Sequence, residues 1–256
     1  MRIVIIGTGN TATVLGRIIQ RSGHTILQVM GRTHAGTERL GNLLLVPFTN
    51  EPKQINTAGD LYILAVSDSA ISQVASWLKV DKKLVVHTAG SVGSEILSGC
   101  SRNYGVLYPL QSLRKEMDEL PQVPFLVEGN TEDNGALIYD FASTMSEKVQ
   151  FATAHQRLLT HIAAIIVSNF TNHLYVVAED FCIRENINFN LLQPLIRETA
   201  LRLEKFSPTQ LQTGPASRND TETITKHLGL LNNYPIQKSV YEFLTESILN
   251  SVTLRK

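Results

Sequence analysis

The sequence predicts an α/β protein with a doubly wound, mainly parallel sheet, followed by an all-α C-terminal domain. Two observations support this prediction. Short apolar runs alternate with helical or turn-rich segments up to about residue 151, and long helical patterns follow. Apolar runs without clean alternation indicate strands covered on both faces, as in a parallel sheet. We therefore expect two domains, residues 1–152 and residues 153–256.

The predicted elements follow the chain in order. The expected strands are Ile3–Ile6, Ile26–Met30, Leu61–Val66, Leu84–His87, Gly105–Leu110, Phe125–Val127 and Val149–Phe151, with a helix near Asp133–Met145 between the last two. In the second half, apolar spacing predicts helices over 154–185, 190–206, 219–231 and 236–251. Pro208, Gly214–Pro215 and Pro235 separate these helices, because proline and glycine interrupt helical backbone.

Composition excludes several classes of protein. Basic and acidic residues balance at 23 each without a charged block, which disfavours a nucleic-acid partner. The two cysteines, Cys100 and Cys182, form no CxxC pair, so neither a disulfide framework nor a zinc site is expected. We expect a cytoplasmic protein without a metal site.

One segment is long enough to be compared with a membrane span. Residues 158–178 contain no Asp, Glu, Lys or Arg, and about 20 apolar residues cross a bilayer. However, the segment carries His161, Ser168, Asn169, Asn172 and His173. We therefore expect a helix buried inside the protein or at a subunit interface, with a homodimer as the natural assembly.

A glycine-rich turn follows the first predicted strand, in the segment VIIGTGNTATVLG at residues 4–16. Gly7, Gly9 and Ala12 occupy the three small positions of a dinucleotide-binding fingerprint. The helix that begins there would present free amides to a pyrophosphate. We expect cofactor contacts from Gly7, Thr8, Gly9, Asn10 and Thr11; the alternative is a purely structural turn.

The end of the second strand indicates which dinucleotide binds. No acid stands between Gly7 and Arg32, where NAD-selective folds place one for the ribose 2′-hydroxyl. The guanidinium of Arg32 suits a 2′-phosphate, and Thr33 adds a hydroxyl. This pattern favours NADP over NAD; the alternative is a solvated surface arginine.

Three further loops follow predicted strands, where open α/β sheets bind ligands. In the first, Val66 and Ser67 are expected beside the cofactor, and Asp68 or Ser69 is expected to cap the next helix. In the second, His87 is either a donor or a satisfied histidine. The remaining loop residues are expected near the nicotinamide (Thr88, Ala89, Gly90) or the substrate (Ser91, Tyr108, Gln111), although a structural turn explains the last two equally well.

The helical half offers two polar clusters. On a regular helix, His161, Ser168 and Asn172 share one stripe, with Asn169 beside it. This stripe would either line a cleft between the domains or bond another helix. Downstream, TGPASRNDTETITKHL at 213–228 is rich in turn residues. Asn219 or Asp220 can cap a helix there, and Asp220, Thr223 and His227 share a face.

The chain resembles a known family in six segments, GTGNTATVLG, GRT, HTAGS, YPLQS, HIAAIIVSNF and TGPASRNDTETITKHL. These look like a group of candidate NADP oxidoreductases with a Rossmann-like N-terminal domain and a helical C-terminal domain of unassigned function. The group is more distantly similar to pyrroline-5-carboxylate reductase, deazaflavin-dependent NADP reductases and 3-hydroxyacid dehydrogenases. The resemblance implies a substrate cleft between domains, dimerisation through helices, and NADP contacts at Gly7, Gly9, Asn10, Thr11, Arg32 and Thr33.

Two departures from these relatives affect the expected chemistry. Tyr108 stands where the family usually has histidine, and no lysine occurs between Lys148 and Lys205 to act as the acid–base of the 3-hydroxyacid dehydrogenases. His161 is therefore the first candidate for proton transfer. The other expected substrate contacts are Asn169, which would orient a carbonyl or carboxylate, Arg218, which would pair with an anion, and Ser168 and Asp220.

Two functions are compatible with these patterns. The first is an NADP(H)-dependent oxidoreductase that transfers hydride to a small C=O or C=N substrate. The second is a non-catalytic NADP-binding sensor or protein-interaction module, which the missing lysine favours.

Overall fold

The computed structural model describes residues 1–253, and the chain divides into two compact units, Met1–Ser168 and Asn169–Lys256. The boundary expected near residue 152 falls at the end of the last strand of the first unit. The first unit contains all the strands described, which form one eight-stranded sheet. They are β1 (Arg2–Ile6), β2 (Thr25–Met30), β3 (Phe48–Thr49), β4 (Leu61–Leu64), β5 (Leu84–His87), β6 (Asn103–Pro109), β7 (Phe125–Gly129) and β8 (Val149–Phe151).

The sheet confirms the predicted doubly wound α/β class. Its strand order is β3-β2-β1-β4-β5-β6-β7-β8. The pairs from β3 to β6 are parallel, β7 runs antiparallel to β6, and β8 runs parallel to β7. The chain reverses its direction across the sheet between β1 and β4, and ligands bind at such a switch point in open α/β folds.

Helices cover both faces of the sheet. They are α1 (Asn10–Arg21), α2 (His34–Leu44), α3 (Asp68–Trp77) and α4 (Glu132–Ser143), and α5 (Ala154–Ala164) follows the last strand. Ile3 and Ile5 of β1 belong to the core that includes α1, α2 and α4, whereas Val4 and Ile6 belong to the core that includes α3. Neighbouring side chains of a strand point to opposite faces, so a run that is apolar throughout can serve two cores.

The seven predicted strands and the helix near Asp133–Met145 are present, and one strand was missed. β3 contains only Phe48 and Thr49, too few residues to form a recognisable apolar run. It still matters for the site, because its carboxyl end lies beside that of β2.

The helix predicted over 154–185 is not regular. α5 ends at Ala164, residues Ile165–Phe170 form a π-helical segment, and α6 (Thr171–Arg184) follows. The predicted stripe of His161, Ser168 and Asn172 assumed 3.6 residues per turn, and i→i+5 bonding rotates later residues away from that register. The prediction that His161, Ser168 and Asn172 share one face of a regular helix is therefore wrong.

The long apolar segment is also less buried than predicted. Ala154–Arg184 is long and apolar enough to cross a membrane by length and composition, and only 6% of its most apolar window is buried. The expectation of a helix buried inside the chain is wrong; the alternative, a subunit interface, stays a prediction.

The second unit is all-α in the part that the structure describes, as predicted. After α6 come α7 (Gln193–Arg202), α8 (Pro208–Leu211), α9 (Thr221–Leu230) and α10 (Pro235–Thr253). Asp220 caps α9 by accepting hydrogen bonds from the backbone N–H and the hydroxyl of Thr223, which confirms the predicted cap.

Candidate active site

A cavity of about 680 Å³ opens at the carboxyl ends of β1, β2 and β4, where the strand order reverses. Its volume lies within the range of about 300–1,000 Å³ typical of ligand sites. Its walls include nine residues expected to contact the cofactor: Gly7, Thr8, Gly9, Asn10, Thr11, Arg32, Thr33, Val66 and Ser67. The structure thus brings together three loops that are far apart in sequence.

Gly7 and Gly9 of the turn are glycines for different structural reasons. Gly7 has φ +131°, and a Cβ there would lie 2.1 Å from the carbonyl oxygen of Ala65. Gly7 is therefore required by the fold itself. At Gly9 a Cβ would meet no described atom within 4 Å. The fold leaves this position open, which fits the close approach of a ligand to the backbone.

The N-terminus of α1 carries features of an anion site. Gly9 occupies the N-cap position, and no side chain among residues 1–253 caps this end. The first turn of α1 contains no acidic residue. The amides after Gly9 and the positive end of the helix dipole are thus available to a pyrophosphate. These residues fit a dinucleotide.

Arg32 and Thr33 lie at the tip of β2. Arg32 is exposed and lines the cavity, so its guanidinium is accessible to an anion. Thr33 also lines the cavity, but its hydroxyl accepts a hydrogen bond from the amide of Gly36 at 3.3 Å and so caps α2. Of the two, Arg32 is the freer to bind a ligand.

Asp68 does not have the predicted capping role. Ser67 occupies the N-cap position of α3 without a side-chain cap, and Asp68 is the first residue of the helix. The Asp68 carboxylate instead accepts a 2.5 Å hydrogen bond from the hydroxyl of Ser91. This bond ties the loop after β4 to the loop after β5.

The loop after β5 is hydrogen-bonded to the end of β4 and to the loop that follows it. Thr88 and Ala89 are buried, and the Thr88 hydroxyl donates a weak 3.4 Å hydrogen bond to the carbonyl of Leu64. Neither they nor Gly90 belongs to the wall as described. Their expected contact with the nicotinamide stays a prediction.

His87, at the end of β5, has a hydrogen-bond partner within the protein for each of its two ring nitrogens. Its Nδ1 accepts a hydrogen bond from the amide of Ala89 at 3.2 Å, so Nε2 carries the proton and donates to the carbonyl of Gly93 at 3.3 Å. The side chain is fully buried, and this burial lowers the pKa of His87 to about 4. At neutral pH the ring is uncharged and fixed by the fold.

Tyr108 and His161 form a hydrogen-bonded pair. The Tyr108 hydroxyl lies 2.8 Å from Nδ1 of His161, and the rings meet edge to face with centroids 5.9 Å apart. A Cβ at Gly90 would lie 3.0 Å from the Tyr108 ring and 3.2 Å from Cγ of His161. A side chain at this position would crowd the pair, and the rings would have to shift by a few tenths of an ångström to admit it. Burial raises the pKa of Tyr108, helped by the charge of Asp68 and opposed by that of Arg157.

Arg157 fixes the helix that carries His161. Its side chain is 1% exposed, pairs with the Glu128 carboxylate of β7, and donates from Nη2 to the carbonyl of Val92 at 2.6 Å. Its Nε has no partner among the described residues. Because Arg157 stands one helical turn before His161, this contact holds α5 against the loop after β5.

The other expected substrate residues are divided between the two units. Gln111 bonds its own loop through the carbonyl of Gln122 and the amide of Ser112. Ser168 is half-buried at the end of the first unit, and Asn169 and Arg218 are exposed in the second. The hydrogen bonds from Thr223 lower the pKa of Asp220, whose carboxylate is occupied as the cap of α9.

The second unit has its own cavity, of about 550 Å³. The turn-rich segment at 213–228 supplies part of its wall through Thr213, Gly214, Pro215, Ala216 and His227. His227 Nδ1 lies 2.9 Å from the hydroxyl of Tyr241. This pairing explains His227 without a ligand.

Sequence reasoning missed several residues of the first cavity, among them Asn50, Pro52, Gln73 and Trp77. Asn50 follows the short strand β3, whose recognition would have placed it at the carboxyl edge of the sheet. Gln73 and Trp77 lie on α3, and nothing in their spacing distinguishes the cavity side of that helix. The pairing of Tyr108 with His161 was also missed, because 53 residues separate them.

Comparison with known proteins assigns the chain to a family. Residues 1–111 match the model of a Rossmann-like domain, and residues 123–248 match a domain of unknown function, DUF2520. A solved Bacteroides fragilis protein, described as a candidate NADP oxidoreductase, is 35% identical over 97% of this chain and 98% of its own, with a TM-score of 0.89. The chain belongs to this family of Rossmann-like and DUF2520 domains.

More distant solved structures share the fold of this family member. A reductive aminase from Aspergillus terreus, in complex with NADPH and ethyl levulinate, is 15% identical over 98% of this chain and 93% of its own, with a TM-score of 0.71. A 1-pyrroline-5-carboxylate reductase from Streptococcus pyogenes is 14% identical over 98% of each chain, with a TM-score of 0.65. No curated protein sequence matches the chain.

Proposed function

We propose that the protein is an NADP(H)-dependent oxidoreductase that transfers hydride between NADPH and a small C=O or C=N substrate. The observation that carries this proposal is the open space at Gly9, at the uncapped N-terminus of α1. The description of the Bacteroides fragilis relative supports it, and the complex of the more distant reductive aminase with NADPH is consistent with it.

Each part of the cavity has a role in this function. The amides after Gly9 bind the pyrophosphate, and the Arg32 guanidinium binds the 2′-phosphate that distinguishes NADP from NAD. NADPH supplies the hydride when bound. Val66 and Ser67 line the same cavity. We retain Asn169, Arg218, Ser168 and Asp220 as expected substrate contacts.

The assembly and location are part of the same proposal. Large apolar side chains on α5, α6 and the segment between them are 37–73% exposed, among them Leu159, Val167, Phe170 and Leu174. Exposed apolar area of this extent indicates a surface that another molecule covers. We propose a second copy of the chain, in a cytoplasmic homodimer without a nucleic-acid or membrane partner.

Titration with NADPH tests the cofactor site. We expect Gly9→Ala to keep the stability of the wild type, because the added methyl meets no protein atom, and to weaken NADPH binding at least about tenfold by occupying ligand space. Isothermal titration calorimetry measures the affinity and thermal unfolding measures the stability.

The matched control is Gly229→Ala, another glycine whose Cβ would meet no described atom within 4 Å. It lies on α9, outside both cavity walls, and should bind NADPH as the wild type does. A wild type that binds no NADPH at millimolar concentration would contradict the proposed function. Tight NADPH binding without reduction of any carbonyl or imine would favour a sensor instead.

A further inference from the structure

The Tyr108–His161 pair does not line the cavity as described, but the loop after β5 links it to the cavity wall. Asp68 lines the cavity and accepts the hydrogen bond of Ser91. Gly90, the residue before Ser91, lies against both rings of the pair. Tyr108 also stands near the carboxyl end of β6, at the same edge of the sheet as the cavity. Gly90 therefore contacts the Tyr108–His161 pair, and the next residue, Ser91, is hydrogen-bonded to Asp68 of the cavity wall.

We propose, on the basis of the function proposed above, that Tyr108 is the catalytic acid of the reduction and that His161 returns the proton to it. This assignment goes beyond the cofactor site and replaces His161 as the direct donor. It also gives the chain an acid even though no lysine occurs between Lys148 and Lys205.

The step balances in protons and electrons. The substrate carbon takes the hydride that NADPH supplies, and the C=O or C=N π electrons move to the heteroatom. The Tyr108 O–H bond breaks as a new O–H or N–H bond forms on that heteroatom. Nδ1–H of a protonated His161 then gives its proton to the Tyr108 oxygen, and solvent reprotonates His161. The sum is NADPH, one proton and C=X converted to NADP⁺ and CH–XH.

The surroundings of the pair suit an acid. Burial keeps the Tyr108 phenol protonated at neutral pH, and the charge of Asp68 on α3 acts in the same direction. Arg157 on α5 opposes them and stabilises the phenolate as it develops in the transition state. His161 is half-buried, and its Nδ1 lies within hydrogen-bond distance of the Tyr108 oxygen. The charged groups therefore favour the phenol at rest and its ionisation during the reaction.

A structural role would also produce this hydrogen bond, because the bond joins β6 to α5. The decisive measurements are therefore turnover and its pH dependence. The probes are ethyl levulinate, pyruvate and 1-pyrroline, each with saturating NADPH. They present a ketone, a keto acid and a cyclic imine to the site.

Tyr108→Phe removes the proton and retains the ring. We expect it to bind NADPH within about twofold of wild type and to lose about 10²–10⁴-fold in kcat, the usual contribution of a positioned acid. Tyr104→Phe is the matched control, since Tyr104 lies on the same strand four residues earlier. It should retain wild-type kcat and NADPH affinity.

His161→Asn tests the proton return. We expect the kcat of the wild type to fall as the pH rises, because only a protonated His161 returns the proton to Tyr108, and we expect the kcat of the variant to be low and to lack this dependence. This profile decides the question if Tyr108→Phe does not fold. Thermal unfolding reports the folding of each variant.

Three results would have different meanings. Wild-type turnover in Tyr108→Phe, or an unchanged pH profile in His161→Asn, overturns the assignment of the acid. A wild type that binds NADPH but reduces none of the three probes also overturns it and leaves the cofactor site intact. A wild type that does not bind NADPH overturns the proposed function itself.

Discussion

At the scale of single residues, Arg32 is the side chain that we propose to distinguish NADPH from NADH. It is exposed at the tip of β2 and lines the cavity, and the 2′-phosphate is the group that NADPH has and NADH lacks. A guanidinium–phosphate pair is planar, charge-assisted and often bidentate. Its contribution should therefore be absent for the cofactor without the phosphate.

We expect Arg32→Ala to weaken NADPH binding by about 10–100-fold, the equivalent of about 1.5–3 kcal/mol for hydrogen bonds to a charged group. NADH affinity should change by less than about twofold. Arg21→Ala is the control, because Arg21 is an exposed arginine in the last turn of α1, at the opposite end from Gly9. Equal losses for both cofactors would contradict the assigned phosphate contact.

His87 makes the stability of the fold sensitive to acid. Its pKa is about 4 in the folded protein and 6.5 in the reference state. Between these values the unfolded chain binds more protons, so the free energy of unfolding decreases as the pH falls. From pH 7 to pH 5 we expect this residue to contribute a loss of about 2 kcal/mol.

Urea unfolding at the two pH values measures this loss, and His87→Gln is the comparison. Glutamine offers a donor NH2 group and an acceptor carbonyl without titrating in this range, so its variant should lose less stability on acidification than the wild type. An identical pH dependence in both proteins would show that His87 is not the responsible group.

At the scale of elements, the buried guanidinium of Arg157 fixes α5. It joins this helix to Glu128 of β7 and to the carbonyl of Val92, and thereby sets the position of His161 one turn later. Arg157 is almost fully buried, whereas Glu128 is 25% exposed. Removal of the carboxylate would leave a buried positive charge without its counter-ion.

We expect Glu128→Gln to lower the free energy of unfolding by about 3 kcal/mol, at the lower end of the cost of breaking a buried pair because Glu128 is partly solvated. The control is Glu198→Gln, which breaks the exposed pair of Arg202 and Glu198 on α7. That variant should change stability by less than about 0.5 kcal/mol. Similar effects in the two variants, measured by urea unfolding, would contradict the proposed role of the buried pair.

At the scale of the whole molecule, the apolar surface from α5 to α6 is the surface that we propose to form the dimer interface. Its side chains are exposed in the single chain, and monomeric soluble proteins rarely leave extended apolar surface uncovered. Two copies of the same surface can cover each other through a two-fold axis. This arrangement would remove the exposed apolar side chains of α5, α6 and the segment between them from water.

We expect light scattering to give about twice the chain mass of 28.4 kDa. Val167→Asp should reduce that mass to one chain, because Val167 is 73% exposed within the segment and its replacement would place a charge in the interface. Leu43→Asp is the control, an exposed leucine of α2. A monomeric wild type, or partition of the wild type into vesicles, would contradict the dimer.

Much of the fold could be predicted from the sequence, because its signals are local. The strands with long apolar runs and Asp220 as a helix cap depend on residues within a few positions of each other, whereas Gly7 is visible as part of a local motif although the carbonyl that excludes a Cβ there belongs to the distant Ala65. β3 escaped prediction because two residues carry no periodicity. The π-helical segment Ile165–Phe170 escaped it because the composition of that segment fits an ordinary helix equally well.

The sequence by itself determined the doubly wound class, the helical second half and the glycine turn, since backbone conformation and burial on both faces leave a direct trace in neighbouring residues. Only the tertiary structure decided which distant groups meet. Tyr108 reaches His161, and Arg157 reaches Val92, because strand order and the rotation of α5 set their positions. The open space at Gly9 is likewise a property of the assembled loops, because the sequence does not show which atoms of distant residues surround a given position.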